Sequence, residues 1–244
     1  MRGIVRRLFI ILVLCFLCHG YAMAADEYDE EDDYLSDENL LYEEESQDYL
    51  EPWNRLMFNF NDRLYFLILK PVTEGYVYIS PVYVRVGVFN FFSNLSFPVR
   101  FVNSLLQGKG EAAERESARF IVNSTIGVLG FGNPAENDPN LKKSDEDFGQ
   151  TLGSYGAGGG AYVVWPFLGP STIRDTIGDC GDAFLNPTWY IKPRWVSTCI
   201  WSYDRINSLS FRMGDYETLK AAAFEPYIAL KDGYLQLREK KIEE

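Results

Sequence analysis

EPWNRLMFNFNDRLYFLILKP, residues 51–71, is the stretch on which the fold turns. Pro52 suits the first turn of a helix, where its missing N–H costs no hydrogen bond. Pro71 is expected to stop that helix, because its ring and missing donor disrupt an α-helix interior. The two prolines predict a helix over 52–70. Trp53, Leu56, Phe60, Leu64 and Leu67 recur at three- and four-residue steps and so share one face. Met57, Phe58, Tyr65, Phe66 and Leu69 make the remaining faces apolar too. A helix apolar all round is either enclosed by protein or partly in lipid.

Working outward, the pattern predicts helices over 82–95, over 98–107 ending at Gly108, and over 111–126. The last opens with Glu111, Glu114 and Glu116, which suit the positive end of a helix. Asp215 is expected to cap a short helix through residue 223, and Pro226 to begin a final one. Residues 161–165 are the best strand candidate. Residues 127–143 read as loop, and 149–160 as an irregular run of glycines interrupted by Tyr155. Ser171 is expected to cap the helix that follows it. The expected fold class is all-α: a single helical domain over 51–244 with irregular Gly/Pro-rich loops.

Upstream, Arg2, Arg6 and Arg7 precede an apolar run over 8–17, and Ala22-Met23-Ala24 supplies small residues for cleavage. This describes a secretory signal peptide over 1–24, whose apolar run over 8–17 is too short to span a bilayer, which takes roughly twenty residues. Cys15 follows Leu14 and Cys18 follows Leu17, so neither offers a good acylation site. Residues 25–50 form an acidic tail, and a block of like charges with little apolar content is normally disordered. The chain has 35 acidic and 23 basic side chains, and 14 of the acids fall between Asp26 and Glu51. From Pro52 onward the domain is nearly neutral, so it lacks the basic face a nucleic-acid binder needs. After cleavage Cys180 and Cys199 remain, and in an oxidising compartment that pair can form a disulfide or stay as two buried thiols.

The one histidine, His19, lies in the signal. A Ser-His-Asp triad, a Cys-His pair and imidazole metal ligands are therefore excluded from the mature chain, and two cysteines cannot build a four-thiolate zinc site. The glycine run lacks the Gly-Lys-Ser/Thr ending of a phosphate loop. Asp175, Asp179 and Asp182 are spaced so that at least two share a helix face. They could hold calcium or act as paired carboxylates; capping, a partner for Arg174 and a solvated acid explain them equally well. Aromatic residues make up 16% of an exported chain, which suits a bilayer interface or an aromatic-rich core.

Several blocks, taken in order, resemble the MlaA/VacJ family of envelope proteins. They are Glu51-Pro52-Trp53-Asn54-Arg55-Leu56-Met57-Phe58-Asn59-Phe60-Asn61, Lys70-Pro71-Val72, Asn90-Phe91-Phe92-Ser93-Asn94-Leu95 and Asn103-Ser104-Leu105-Leu106-Gln107-Gly108. Then come Arg119-Phe120-Ile121-Val122-Asn123, Asp147-Phe148-Gly149-Gln150-Thr151-Leu152-Gly153-Ser154-Tyr155-Gly156, Tyr162-Val163-Val164-Trp165-Pro166-Phe167, Arg174-Asp175 and Glu225-Pro226-Tyr227. The resemblance implies a helical, ring-like protein in the periplasmic leaflet of the outer membrane. Its amphipathic channel would return mislocalised outer-leaflet phospholipid to the periplasm. That lipid is cargo, no cofactor is implied, and the protein would not be an enzyme. Implied partners are a trimeric porin, a soluble periplasmic carrier and an inner-membrane ABC transporter complex. Asn59 and Phe60 match the family's Asn-Phe element near the channel. Gly153, Tyr155, Gly156, Pro166 and Phe167 are candidates for channel geometry, with Arg174 and Asp175 as structural residues. The chain departs from the family's lipoprotein types in lacking a convincing acylation site and in carrying the acidic tail.

Overall fold

The computed structural model describes residues 50–243, so the signal peptide and nearly all of the acidic tail lie outside the described residues. Helix α1 (Glu51–Leu64) runs through a π-helical turn (Tyr65–Leu69) into α2 (Lys70–Ile79). Pro71 therefore does not end the helix, as its ring chemistry had suggested. Just before it, the Lys70 N–H reaches back five residues to the Tyr65 carbonyl. That extra residue in the turn accommodates a ring that would otherwise meet the carbonyl four positions back.

Helices α3 (Val82–Leu95), α4 (Phe97–Leu106) and α5 (Gly110–Thr125) fall within a residue or so of the expected spans. Residues 127–143 hold only a short 3₁₀ turn, Pro134–Asn137. The glycine segment begins as a helix, α6 (Phe148–Ser154), where the sequence had suggested irregular chain. Asp147 caps it, its side chain accepting from the Gln150 N–H. Strands β1 (Tyr162–Trp165) and β2 (Gly169–Thr172) pair antiparallel with Tyr162 opposite Thr172 and Trp165 opposite Gly169. This hairpin is the one sheet among the described residues of a helical fold.

Ser171 lies inside β2, and it is Thr172 that caps α7 (Ile173–Leu185), accepting from the Asp175 N–H. Helix α8 (Arg194–Leu209) was not anticipated. Helix α9 (Asp215–Ala222) is preceded by Gly214 in the left-handed region, so Asp215 sits in the first turn and is not the cap. Helix α10 (Pro226–Glu243) starts at its proline as expected.

Close approach of backbones explains two of the glycines. A Cβ on Gly178 of α7 would stand 2.4 Å from the Gly149 nitrogen of α6. Only glycine allows that contact. Helix α10 then crosses α6, with Ile242 packed where Gly153 leaves room. Arg238 of α10 locks the crossing by donating to Asp147 at 2.6 and 2.9 Å and to Asp175 at 2.9 and 3.0 Å. Tyr234 adds a bond to Asp175 at 2.7 Å. A buried charge is tolerated only when paired and hydrogen-bonded, and here both carboxylates are.

Beside an apolar cluster of Tyr162, Val164 and Tyr227, several polar side chains are buried while many large apolar ones are exposed. Asn54, Thr73, Asn103, Glu116 and Asn207 are fully buried, while Leu67, Tyr83 and Ile126 are 75, 74 and 73% exposed. Glu116 takes the Arg100 guanidinium at 2.8 Å and the Ser144 N–H at 2.7 Å. Asn103 joins Asp182 and Thr151, both at 2.8 Å. No helix of the described residues is long and apolar enough to cross a membrane.

Candidate functional site

Two asparagines build the first part of the site. Asn54 and Asn61 stand two turns apart on α1, about 10.5 Å along its axis, and three strand residues span about 10 Å. The helix therefore matches the edge of β1. Asn54 donates to the Tyr162 carbonyl at 3.0 Å and accepts from the Val164 N–H at 2.8 Å. Asn61 donates to the Trp165 carbonyl at 2.9 Å and accepts from the Phe167 N–H at 2.8 Å. Each side-chain amide thus substitutes for the peptide group of a missing strand.

This clamp fixes the hairpin loop of Pro166, Phe167 and Leu168. Phe167 has φ +68, an uncommon conformation for a bulky residue, and its ring meets Phe60 edge-to-face at 5.2 Å. Phe60 and Phe167, both singled out from the sequence, are brought together. Asn59 is exposed on the same helix.

The second part is a cleft of 940 Å³, at the upper end of the roughly 300–1,000 Å³ typical of ligand sites. One wall comes from Phe89, Phe92, Val99 and Arg100 of α3 and α4, and another from Trp165 and Leu168–Ser171 of the hairpin. Asp179 and Asp182 of α7 and Arg194, Trp201, Asp204 and Arg205 of α8 complete it, with Lys143, Asp145 and Lys241 at one side. A smaller hollow of 370 Å³, lined by Arg119, Asn123 and Asn133, shares Arg100 and Lys143 with it. There Asn133 already accepts from both Arg119 and Asn123.

The cleft is electrostatically mixed. Burial raises the Asp179, Asp182 and Asp204 carboxyls, and Asp182 is pushed up to about 6 despite bonds from the Phe148 N–H and Asn103. Burial, and then the nearby Arg100 charge, lower the Lys143 ammonium. Among the described residues no acidic or thiol group is arranged to hold a metal ion. Asp175, considered above as a calcium or catalytic carboxylate, is instead engaged by Arg174, Arg238 and Tyr234.

Not every residue anticipated for a channel meets the cleft. Gly153 packs against Ile242, and Gly156, at φ +87, ends α6 as a left-handed cap. The Tyr155 hydroxyl donates to the Leu106 carbonyl at the end of α4. Phe60, Pro166 and Phe167 stand beside the hairpin residues that line the cleft and are not themselves in its lining. Cys180 and Cys199 are free and exposed, neither joined in a disulfide nor buried as thiols. Asp179 and Asp182 of α7, singled out from their spacing, do line the cleft; the α8 lining was missed, although Arg194, Ser197, Trp201, Arg205 and Ser208 recur at helical steps that could have marked one polar-aromatic face.

The comparisons with known proteins agree with this architecture. The family model described as MlaA lipoprotein matches residues 46–241. An uncharacterised protein of Rickettsia bellii (strain RML369-C) is 30% identical, over 97% of this chain and 93% of its own. The intermembrane phospholipid transport system lipoprotein MlaA of Escherichia coli (strain K12) is 35% identical, over 78% of this chain and 76% of its own. A solved chain described under "Structural basis for maintenance of bacterial outer membrane lipid asymmetry" aligns with a TM-score of 0.71 at 33% identity, covering 79% of this chain and 98% of its own. The chain belongs to the MlaA lipoprotein family.

Proposed function

We propose that this protein carries phospholipid at the outer membrane, taking mislocalised outer-leaflet lipid through its cleft toward the periplasm and so maintaining lipid asymmetry. The observation that carries the reading is the amphipathic cleft inside a domain whose exterior is apolar. Phe89, Phe92 and Trp201 offer surface to acyl chains, while the arginines and aspartates beside them suit a headgroup. Exposed side chains such as Ile79, Tyr83, Ile126 and Leu129 would meet lipid tails, a setting in which their exposure costs nothing. The relatives named for intermembrane phospholipid transport support phospholipid as the cargo.

On this reading the protein sits at the periplasmic side of the outer membrane after removal of its signal. A trimeric porin beside it, a periplasmic carrier and an inner-membrane ABC transporter complex are its partners. The clamped hairpin is the element that controls access, since Asn61, Phe60 and Phe167 tie its loop to α1. No bond is made or broken by the protein.

Mass spectrometry of lipids retained by the protein in mild detergent tests the reading. Wild type should hold phospholipid above the background of an unrelated membrane protein, and deletion of Asn59 and Phe60 should change the amount. Background-level lipid in both would replace the transport reading with that of a non-conducting docking module.

A further inference from the structure

Helix α8 turns Arg194, Ser197, Thr198, Trp201, Arg205 and Ser208 toward the cleft. The two arginines are eleven residues apart, about 16 Å along the helix. Each guanidinium lies over an indole: Arg194 over Trp189 at 4.2 Å, Arg205 over Trp201 at 5.3 Å. Elsewhere in this molecule Arg55, Arg100, Arg174 and Arg238 each grip a carboxylate. Arg194 and Arg205 hold no ion pair among the described residues. Stacking fixes the plane of a guanidinium and leaves its N–H edge free, the arrangement that suits a phosphate oxygen pair.

The same cleft contains Asp179 and Asp182 from α7 and Asp204 from α8. Other lining charges are already offset: Arg100 by Glu116, and Asp145 by Lys143 and Lys241. What remains is two guanidiniums and three carboxylates with no ion-pair contact among the described residues, Arg205 acting on Asp179 and Asp204 only through its field. A ligand bearing only negative charge would gain from the first and be repelled by the second. A ligand with a phosphodiester and an ammonium a few bonds apart satisfies both.

We propose that the cleft selects zwitterionic phospholipid, the phosphodiester held by Arg194 or Arg205 and the headgroup ammonium by Asp179 and Asp182. Two stations on one helix face would let the headgroup move stepwise along α8, with Ser197 and Thr198 between them. This rests on the phospholipid-handling reading above and adds the headgroup class and the residues that recognise it.

The test is lipid competition read by native mass spectrometry on the full chain as secreted and purified in mild detergent. It is offered equal amounts of phosphatidylethanolamine and phosphatidylglycerol with identical acyl chains. Wild type should retain the ethanolamine lipid at least about threefold over the glycerol lipid, a modest electrostatic discrimination. Losing charge-assisted bonds in R194Q/R205Q should lower retention of both lipids roughly tenfold, with R194K/R205K recovering part of it. D179N/D182N should lower retention of the ethanolamine lipid but not of the glycerol lipid, bringing the ratio near one. Inorganic phosphate and soluble glycerophosphoethanolamine at matched concentration should not displace the lipid.

Equal or reversed preference in wild type, or retention unchanged in R194Q/R205Q, overturns this proposal and leaves the transport reading standing. Displacement by phosphate alone would reduce the site to a simple anion site and overturn it as well. Wild type with no phospholipid above background overturns both.

Discussion

Arg238 is the residue on which the packing of the last helix depends most. It holds Asp147 and Asp175 together, and its guanidinium is raised above its ordinary value, burial opposing and the two carboxylates outweighing it. Burial pushes the Asp147 and Asp175 carboxyls up, but bonds from Arg238 leave both net below the usual range. Arg238→Gln removes the cation from Asp147 and leaves Asp175 with only Arg174 and Tyr234, and should lower unfolding free energy by about 2–4 kcal/mol in chemical denaturation. The depressed carboxylates stabilise the fold above their unfolded value, and that stability is lost as pH falls through the folded values. Wild type should therefore lose stability steeply below pH ~4, and Arg238→Gln should show a shallower loss. Asp182 has the opposite sign. Its carboxyl, pushed up to about 6 by burial, binds a proton in the fold that the unfolded chain releases at lower pH. Its ionisation thus erodes stability as pH rises between about 4 and 6. Asp182→Asn should flatten that window in a series of melts at stepped pH. An unchanged profile would show that Asp182 titrates normally.

At the scale of elements, the clamp between α1 and the hairpin gives a graded expectation. Asn54→Ala leaves the buried Tyr162 carbonyl and Val164 N–H without their partner, and should cost about 2–3 kcal/mol. Asn61→Ala, at the more open end of the hairpin, should cost about 1 kcal/mol and speed amide exchange chiefly at Phe167. Gly178→Ala places a methyl against the Gly149 backbone and cannot be relieved by a side-chain shift. It should destabilise by more than about 3 kcal/mol and separate α6 from α7, seen as loss of amide protection in both. Helices opened by proline or acids were legible in the sequence, since Pro52, Pro98 and Pro226 each mark a helix start. The glycines of 149–153 misled because helix packing and helix breaking use the same residue. Pro71 misled because a π-turn before it is invisible to a 3.6-residue pattern. Helix α8 escaped notice because it meets the cleft on one side and Tyr76, Arg85 and Asn207 contacts on the other, so no apolar stripe identifies it.

For the whole molecule, the sequence showed the apolar excess of α1 but not which way it points. The structure answers with apolar side chains of the π-helical turn and α2 such as Leu67, Ile68 and Ile79 exposed, while Asn54 of α1 and Thr73 of α2 are fully buried. The cleft itself was not legible, because its walls come from five separated stretches between Phe89 and Lys241. Phe92, Asp147, Trp165 and the pair Asp179 and Asp182 each belong to a motif visible in the chain, but nothing in their spacing showed that they meet.

The central claim is that phospholipid occupies that cleft. The most direct measurement places a photo-crosslinking amino acid at Val99 or Ser208, which line the cleft, and at Glu114, exposed on α5. The purified, detergent-washed protein is then irradiated and its adducts are read by mass spectrometry. Phospholipid adducts at 99 and 208 with none at 114 are the expected result. Adducts equally abundant at 114, or absent from both cleft positions while lipid is still retained, would contradict the account.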